Sequence, residues 1–429
     1  MITFFTEKGE VGGNQILLKE KGSKLWLDFG LSFKKAKRII SLLLEGRQLP
    51  KYRLSELARK RMVPPPSVIE GRNSILLTHA HMDHYGGLDI LFEHRIETRI
   101  YAPRDLLNLL KARLEAANKL GLLLECNTRL FPLEVGKVNS IEDMEVVPVK
   151  VDHSIDGSYG YLVFTPEGVS IFYTGDIRFD LKSSIQVIHD IKAHTDEVDI
   201  VVTELTGTNV RTPLKETEIS VCLEKLSKKY DGFVIVFTTP SYTKRIEAIK
   251  KAFKKRKLVI DTTYAHYLHA LQKDNLIDNL FVSSKKRSLT SWERRLTGDL
   301  SEKVVDENFL ETHQRECVLI ISPYKKLRID FDLVPKSVAI ISLCEPFDEE
   351  SFYVQSKLDR FLAEWKRIPA YNVHAPGHAD VYEISEFINK LNPDKIFVIH
   401  STSPEVISNV MPLRRNIFTP TYGETFKTT

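Results

Sequence analysis

Short apolar runs, many of them rich in β-branched residues, alternate along this chain with stretches in which apolar residues recur every three or four positions. The first pattern predicts buried strands and the second predicts amphipathic helices. The predicted strands are 24–27, 74–77, 144–151, 170–173, 198–203, 233–238, 318–322, 338–342 and 396–399, and the predicted helices are 106–120, 216–230 and 379–391. This alternation favours a mixed α/β architecture.

Several predicted strands are followed directly by a polar residue. These residues are Asp28, His79, His153, Asp176, Glu204 and His400. Side chains at the ends of separate strands are how a sheet brings ligands to one edge. A single aspartate after a strand is more often a turn former or a cap, so we interpret Asp28 as structural. Asp176 follows Gly175, which allows a sharp backbone turn that leaves the carboxylate exposed to metals.

The segment from Thr78 to His84 carries three imidazoles and one carboxylate directly after an apolar run. Alternate side chains of an extended segment point the same way, so His79 and His81 would face one point while Asp83 and His84 serve a neighbouring one. Imidazole and carboxylate ligands suit zinc or manganese, and a hydrolytic pair of ions lies about 3.5–4 Å apart. Separately placed structural histidines are the alternative. It fits poorly, because seven of the 13 histidines stand at the ends of apolar runs.

Composition limits the function classes. The 429 residues are enough for about two or three domains, and the 42% hydrophobic and 28% charged residues are typical of a globular protein. No apolar run approaches the roughly 20 residues of a membrane span, and the first residues lack a signal pattern, so we expect no membrane partner and a cytoplasmic location. Four widely separated cysteines are predicted to be buried reduced thiols: Cys126, Cys222, Cys317 and Cys344.

The net charge of +4 is unevenly distributed. Segment 34–61 has ten Lys/Arg against two acids, and segment 221–257 has eleven against three. For either segment alone, a solvated helix face is as good an interpretation as a binding surface. Beside a hydrolytic metal site, however, such segments favour a phosphate-bearing substrate, because lysine and arginine neutralise phosphates.

His79-x-His81-x-Asp83-His84, followed by His153 and Asp176, resembles the metallo-β-lactamase superfamily. The motifs around Glu204, His378 and His400 resemble its β-CASP nuclease branch, and segments 9–14 and 27–30 resemble the RNase J group of that branch. The resemblance implies an α/β fold, an αββα sandwich with an inserted β-CASP α/β domain. The domains would be 1–205 and 366–429 for the sandwich, with 206–365 as the insertion.

The resemblance also implies two divalent metal ions, zinc being expected and manganese the alternative. His79, His81 and His153 would hold one ion; Asp83, His84 and His400 would hold the other; Asp176 would bridge them. The residues implied in catalysis are Asp83, His378 and Glu204. His378 would stabilise charge near the scissile phosphate or assist the leaving oxygen, and Glu204 would orient ligands.

The resemblance bears on the substrate as well. RNA-acting members have histidine at the last motif, where DNA-acting members tend to have valine, so His400 favours single-stranded RNA. The RNase J loop is usually Ser-Gly-His-Ala-Ser, and here Pro376 and Asp380 replace both hydroxyls, which leaves 5′→3′ exonuclease and endonuclease action open. A groove between the domains would admit a single strand. The candidate RNA contacts are Ser241, Lys244, Arg245, His374 and Gly377; for the first three, helix capping and solvation are the alternative.

Other interpretations stay open at this point. One is a hydrolase of a small ester, thioester or lactone on the same fold, and another is a DNA nuclease of the same branch. A catalytically silent RNA-binding subunit is the third, although none of the seven implied metal ligands is missing. The chain ends soon after His400, without the C-terminal extension of the bacterial members, so the homodimer that the resemblance implies is also open.

Overall fold

The structure is a computed structural model, and it describes residues 1–20, 22–32, 34–36, 52–117, 129–179, 181–209, 214–239, 241–284, 288–321, 331–343, 358–360, 362–363, 367–412 and 416–428. The chain forms two compact units. The first unit is Met1–Val210 with Gly377–Thr429, and the second is Arg211–Pro376. The family resemblance predicts an insertion at 206–365, whereas the second compact unit covers Arg211–Pro376. Cys126, Cys344 and most of the basic segment 34–61 lie outside the described residues.

The elements follow one another along the chain in three stretches. Before the insertion the strands are β1 (Ile2–Phe4), β2 (Gln15–Glu20), β3 (Ser23–Phe29), β4 (Asn73–Leu76), β5 (Thr98–Pro103), β6 (Leu130–Leu133), β7 (Asn139–Ile141), β8 (Met144–Lys150), β9 (Tyr159–Phe164), β10 (Ser170–Tyr173) and β11 (Ile200–Glu204). The helices there are α1 (Leu54–Arg59), α2 (Pro66–Ile69), α3 (Met82–Tyr85), α4 (Leu88–Glu93), α5 (Arg104–Ala116) and α6 (Leu181–Lys192).

The second unit contributes the next stretch. Its strands are β12 (Val234–Thr238), β13 (Lys257–Asp261), β14 (Asn279–Phe281), β15 (Val304–Val305), β16 (Cys317–Ile321), β17 (Val338–Ser342) and β18 (Ala370–Asn372). Its helices are α7 (Glu216–Lys229), α8 (Thr243–Ala252), α9 (Thr262–Ala270), α10 (Ser291–Asp299) and α11 (Glu307–Thr312). The chain then returns to the first unit with α12 (Val381–Leu391), β19 (Lys395–Ile399), α13 (Val406–Val410), β20 (Ile417–Phe418) and β21 (Glu424–Phe426).

The described part of the first unit has two seven-stranded sheets packed face to face. Their strand orders are β21-β1-β2-β3-β4-β5-β6 and β20-β19-β11-β10-β9-β8-β7. The ring centroids of Phe4 in β1 and Phe397 in β19 are 4.9 Å apart, and the Tyr161 hydroxyl of β9 donates a 2.6 Å hydrogen bond to the carbonyl of Leu77 after β4. Apolar side chains from both sheets therefore fill the space between them.

Helices cover the opposite faces of these sheets. Side chains of a strand alternate between faces, so Phe172 in β10 packs toward Phe387 of α12, at 6.1 Å between ring centroids, while its neighbour Tyr173 points to the other side and meets Asp28. Helix α6 joins the same buried cluster, and α5 packs on β5 and β6 of the first sheet. The layers are helix, sheet, sheet, helix, which confirms the predicted α/β class.

The second unit is built on one parallel sheet, with strand order β15-β14-β13-β16-β12-β17-β18. Strands β12, β16 and β17 are buried at every residue, as expected for a parallel sheet covered on both faces. Every predicted strand is present to within two residues at either end. Helices 216–230 and 379–391 are confirmed, and helix 106–120 is confirmed as far as its described residues extend.

Two smaller expectations concern membranes and thiols. None of the helices in the described ranges is long and apolar enough to cross a bilayer. Cys222 is half-buried and Cys317 is buried, and both are free thiols, as predicted. Burial raises the pKa of Cys317 to about 11, so its sulfur stays protonated at neutral pH.

Candidate metal centre

The predicted ligands of the first motif come from the end of β4 and the short helix behind it. His79 follows β4 in extended backbone, and His81 is the residue before α3, which contains Asp83 and His84. The change from extended to helical backbone at His81 separates the four side chains into two groups, each facing a different point. His79 and His84 are fully buried, and Asp83 is 5% exposed.

The remaining ligands come from the second sheet of the first unit. Strands β10, β11 and β19 are parallel neighbours, so the residues that follow their carboxyl ends meet at one edge. Asp176 follows β10, Glu204 is the last residue of β11, and His400 follows β19. Gly175 has a φ of 57°, and a Cβ there would lie 2.8 Å from the Thr78 side chain, so only glycine suits this position.

The first ligand group consists of His79, His81, His153 and Asp176. His79 Nε2 and His153 Nε2 lie 3.0 and 3.2 Å from His81 Nδ1, and each lies 3.6 Å from Asp176 Oδ2. Three imidazole nitrogens and one carboxylate oxygen around a common point form a ligand set that zinc accepts in proteins. Burial lowers the pKa of His81 to about 3 and the pKa values of His79 and His153 well below normal, so neutral imidazoles are favoured.

The second ligand group consists of Asp83, His84, His400 and the same Asp176. His400 Nε2 lies 3.0 Å from Asp83 Oδ2, and His84 Nε2 lies 3.2 Å from Asp176 Oδ1. Asp176 thus presents one oxygen to each group. Burial alone would raise the pKa of Asp176, but the surrounding His400 and His84 hold it well below its usual range. A permanently charged carboxylate between the groups suits two divalent cations.

Asp28 orients His84. The Asp28 Oδ2 atom lies 2.7 Å from His84 Nδ1, and this carboxylate also accepts hydrogen bonds from the Thr78 backbone N–H, the Thr78 hydroxyl and the Tyr173 hydroxyl at 2.7–2.8 Å. A proton on His84 Nδ1 satisfies Asp28 and leaves Nε2 facing the second group. Burial lowers the pKa of His84, but Asp176, Asp28 and Asp83 raise it well above normal, so a metal bound there would replace the proton on Nε2.

The sequence places Asp28 at the same sheet edge as the ligands, but its interpretation as a turn former or cap misses that it orients His84. The available signal was topological. Strand β3, which contains Asp28, is the parallel neighbour of β4, so its carboxyl end had to lie beside the histidines that follow β4. The backbone of Asp28 is left-handed, with φ 59°, a conformation that is uncommon for residues with a side chain but that aspartate tolerates.

Two other histidine ligands are also oriented by a hydrogen bond to the ring nitrogen that faces away from their ligand group. His153 Nδ1 lies 2.6 Å from the carbonyl oxygen of Gly377, and His400 Nδ1 lies 2.7 Å from the Thr206 hydroxyl oxygen. The Thr206 hydroxyl itself donates to the His400 carbonyl, at 2.9 Å, so it accepts from the imidazole. Thr206 had no distinguishing signal in the sequence apart from its place two residues after Glu204.

Glu204 and His378 form an ion pair beside the first ligand group. His378 Nδ1 lies 2.8 Å from both carboxylate oxygens of Glu204, which also accepts hydrogen bonds from the backbone N–H groups of Ile177 and Thr206. Burial would lower the pKa of His378, but Glu204 raises it to about 9. The His378 ring lies 4.9 Å from that of His153, so a protonated imidazole stands next to the ligands.

The backbone of the loop that carries His378 packs closely against Ser154 and His153. A Cβ at Gly377 would lie 2.7 Å from the Ser154 hydroxyl oxygen and 3.3 Å from the His153 ring, so no larger residue fits there. Asp380, which replaces a hydroxyl of the RNase J loop, caps α12. It accepts 2.8 Å hydrogen bonds from the N–H groups of Tyr382 and Glu383.

The other candidate RNA contacts lie in the second unit. Arg245 is 2% exposed and pairs with Glu216 at 2.7 and 2.9 Å, so its guanidinium is committed within the unit. Ser241 is buried, His374 is half-buried and Lys244 is exposed. Among these residues Lys244 presents the most accessible charge.

Comparisons with known proteins agree with this geometry. A family model described as "Beta-lactamase superfamily domain" matches residues 50–255. The chain is 23% identical to the Ribonuclease J of Pyrococcus abyssi, covering 93% of this chain and 90% of that protein. It is 25% identical to the Ribonuclease J of Thermus thermophilus, covering 90% of this chain but only 65% of that protein.

Two further similarities extend over nearly the whole chain. The protein named "Transcription termination factor FttA" of Methanocaldococcus jannaschii is 21% identical, over 98% of this chain and 70% of its own length. A crystal structure of a protein of unknown function from Enterococcus faecalis superposes with a TM-score of 0.71 at 18% identity, covering 99% of this chain and 98% of that one. The latter similarity shows a shared fold.

Proposed function

Since the chain belongs to the metallo-β-lactamase superfamily and to its β-CASP branch, we propose that it is a metal-dependent ribonuclease that hydrolyses phosphodiester bonds of single-stranded RNA. One observation carries the proposal. Two complete ligand groups share Asp176, and the ion pair of His378 with Glu204 stands beside them. The similarity to a protein named Ribonuclease J over 93% of the chain supports RNA as the substrate.

The residues fit two divalent metal ions. We propose zinc for the first group, because three of its four donors are imidazole nitrogens, and zinc or manganese for the second, which has two carboxylate donors. When bound, such ions neutralise phosphate charge and lower the pKa of water to about 7. Asp28, Thr206 and the Gly377 carbonyl each engage Nδ1 of one histidine, which would leave Nε2 free to bind an ion.

His378 has the properties of a charge stabiliser or proton donor. Its Nδ1 proton is held by Glu204, so the imidazolium keeps its second N–H, on Nε2, for a reacting group. With a pKa of about 9 it is charged at neutral pH. We propose that it stabilises negative charge developing on the phosphate, or protonates the leaving oxygen, while Glu204 maintains its charge and orientation.

The candidate residues of the second unit and Gly377 would contribute to binding the rest of the RNA. Lys244, which is exposed, would contact the RNA backbone directly. Ser241 is buried and His374 is half-buried, so we propose for both only a supporting role in RNA binding. Arg245 and Gly377 would act by positioning, since the first is paired with Glu216 and the second supports His153. Exonuclease and endonuclease action both remain within the proposal, as do a homodimer and a cytoplasmic location.

The test uses purified protein and one RNA sequence prepared with a 5′-monophosphate, a 5′-triphosphate or a 5′-hydroxyl, labelled at either end, together with the matching single-stranded DNA. We expect RNA cleavage that a chelator abolishes and that His378→Ala or Asp83→Ala nearly eliminates. Lys390→Ala, a change on the exposed side of α12, serves as the control and should cleave normally. Strong thioesterase or lactonase activity without RNA cleavage would contradict the proposal.

A further inference from the structure

The second unit carries a group of lysines that the metal centre does not use. Strands β12, β13, β16 and β17 are parallel, so the segments that lead into them lie at one edge of the sheet. Helix α7 ends just before β12 and α8 ends just before β13, so the last turns of both helices lie at that edge as well. We call the lysines there the basic edge: Lys225, Lys228, Lys229, Lys254 and Lys255.

Hydrogen bonds join the segments of this edge into one surface. The N–H of Gly232, before β12, donates to the carbonyl of Lys336, before β17, at 3.0 Å. Arg256, before β13, donates from Nη2 to the carbonyl of Tyr230 at 3.0 Å. The lysines of α7 and of the segment after α8 therefore belong to one continuous face.

The positive charge of the basic edge is largely uncompensated. All five lysines are exposed, and the side chains of four of them, all except Lys229, have no hydrogen bond or ion pair within the described residues. The nearby carboxylate of Asp231 is already engaged by Arg315 at 3.3 Å and Lys336 at 3.8 Å. One or two cations in a last turn suffice to complement a helix dipole, so this density calls for a different explanation.

An aromatic ring stands beside these lysines. Lys229 Nζ donates a 3.0 Å hydrogen bond to the Tyr371 hydroxyl and lies 5.4 Å from the centre of that ring. The Tyr371 hydroxyl is also 2.6 Å from that of Tyr230, which fixes its orientation. Tyr371 is only half-buried, so part of its ring is available for contact. Lysines with an adjacent, fixed aromatic ring are the combination that binds single-stranded nucleic acid.

We propose that the basic edge binds the phosphate backbone of single-stranded RNA, with Tyr371 stacking on a base. The identity of the anion as RNA rests on the proposed function. This surface would hold a part of the RNA other than the cleaved bond, so it would raise affinity for long substrates and leave the chemistry of short ones unchanged. Binding there should release counterions and depend strongly on salt.

The test measures binding without cleavage. Fluorescence anisotropy in a chelator-containing buffer gives the dissociation constant for RNAs of about 8 and about 40 nucleotides, lengths chosen to lie below and well above a single-strand site of roughly 4–16 nucleotides. The variant is Lys225→Glu/Lys228→Glu/Lys254→Glu/Lys255→Glu. We expect it to bind the long RNA at least about tenfold more weakly, with the slope of log K against log salt smaller by about 2–3, since each lost contact removes about 0.7.

A charge-matched control uses four lysines of the first unit, Lys19, Lys137, Lys192 and Lys390, also changed to glutamate. Circular dichroism and thermal melting establish that both variants are folded, and a Lys254→Gln/Lys255→Gln variant replaces the first if it is not. Equal affinity of the basic-edge variant and the control for the long RNA would overturn this proposal while leaving ribonuclease activity untouched. If the unaltered protein binds no RNA of either length, the proposed function fails as well.

A second inference comes from Asn14, which no motif singled out as a ligand. Asn14 is 1% exposed, and its Nδ2 lies 3.3 Å from His84 Nε2 in the second ligand group. Its backbone N–H donates to the carbonyl of Asp83 at 3.1 Å, which fixes the residue against that group. Within the described part of the chain its Oδ1 has no hydrogen-bond partner. Such buried orphan atoms are rare and costly, so they indicate a role.

We infer that Asn14 is a further residue of the second metal subsite, with its carboxamide oxygen available to a divalent ion. Asp28 directs the lone pair of His84 Nε2 at the same subsite, and a half-turn of the amide exchanges its nitrogen and oxygen positions. With Asn14, the second subsite would have three oxygen donors and two nitrogens, against one oxygen and three nitrogens in the first. The two subsites would then differ in metal preference, the second favouring manganese more strongly.

Isothermal titration of metal-free protein with Mn²⁺ tests this without any substrate. We expect Asn14→Ala to bind one of two equivalents about 10–100-fold more weakly. Asn73→Ala is the control, because Asn73 is an equally buried amide whose partners, including Trp26, lie away from the centre. Two equivalents bound with unaltered affinity by folded Asn14→Ala would overturn the inference. If that variant does not fold, Asn14→Asp should bind Mn²⁺ more tightly, and unchanged affinity would overturn it.

Discussion

At the scale of single residues, the metal centre depends on side chains that hold the ligands as much as on the ligands themselves. Asp28, Thr206 and the carbonyl of Gly377 each engage the far ring nitrogen of one histidine. Since an imidazole nitrogen binds a metal only through its lone pair, these hydrogen bonds decide which nitrogen is available. Losing one of them should weaken the centre without removing any ligand.

Asp28→Asn is predicted to lower divalent-metal affinity by about 10–100-fold. The amide would present an N–H to His84 Nδ1, which would favour the tautomer whose proton points at the second ligand group. Metal content after dialysis, measured by plasma mass spectrometry, checks this. Asp105→Asn is the matched control, because Asp105 also accepts a tyrosine hydroxyl, that of Tyr159, yet touches no ligand. An Asp28→Asn protein that keeps its full metal complement would contradict the account.

The ion pair of His378 and Glu204 determines in which direction cleavage activity should change with pH. The pKa of His378 is raised to about 9, so the imidazolium is present below that value and is lost as pH rises through it. Activity that needs the imidazolium should therefore fall on the alkaline side, near pH 9. In Glu204→Gln the pKa should drop, so the fall should begin at lower pH, with a loss of about a hundredfold at pH 8. Identical pH–rate profiles for the two proteins would show that the imidazolium is not used.

At the scale of elements, the carboxyl ends of the strands position most of the candidate metal ligands. The sequence predicted which strands carry polar residues at their ends, because the apolar runs that form β4, β10, β11 and β19 are unambiguous. It could not predict which nitrogen of each histidine faces the metals, because that depends on partners distant in the chain. His153 and Gly377, for example, are brought together only by the folded sheets. For Asp28, by contrast, the parallel pairing of β3 with β4 is a usable signal.

Asp380 stands where the expected loop motif has a serine, and its place at the start of helix α12 explains this difference, because it caps the helix. Asp380→Ala is predicted to reduce the free energy of unfolding by about 1 kcal/mol, because two N–H groups at the helix start lose their acceptor. Asp380→Asn should retain most of the stability and all of the RNA cleavage, since asparagine caps helices equally well. Urea unfolding and the cleavage assay provide the two measurements. A stable but inactive Asn variant would indicate that the carboxylate takes part in the chemistry.

At the scale of the whole molecule, the chain builds one site from sequence positions more than 300 residues apart. Along the sequence, His79 comes before the second unit and His400 comes after it. The second unit folds around a parallel sheet of its own. The α/β class follows from the alternation of apolar runs with amphipathic stretches, and the interruption of the first unit is what the family resemblance implies. The bounds of the insertion, Arg211–Pro376, were less accessible to sequence reasoning, because no apolar pattern marks where compact packing begins.

The central claim is that this centre cleaves RNA with two bound metal ions. The most direct measurement adds Zn²⁺ or Mn²⁺ in known amounts to metal-free protein and follows cleavage of an end-labelled single-stranded RNA. We expect no cleavage without metal, and activity that reaches its plateau only as the second equivalent per chain is bound. Full cleavage in the presence of a strong chelator, or no cleavage of single-stranded RNA by protein with two bound ions, would contradict it.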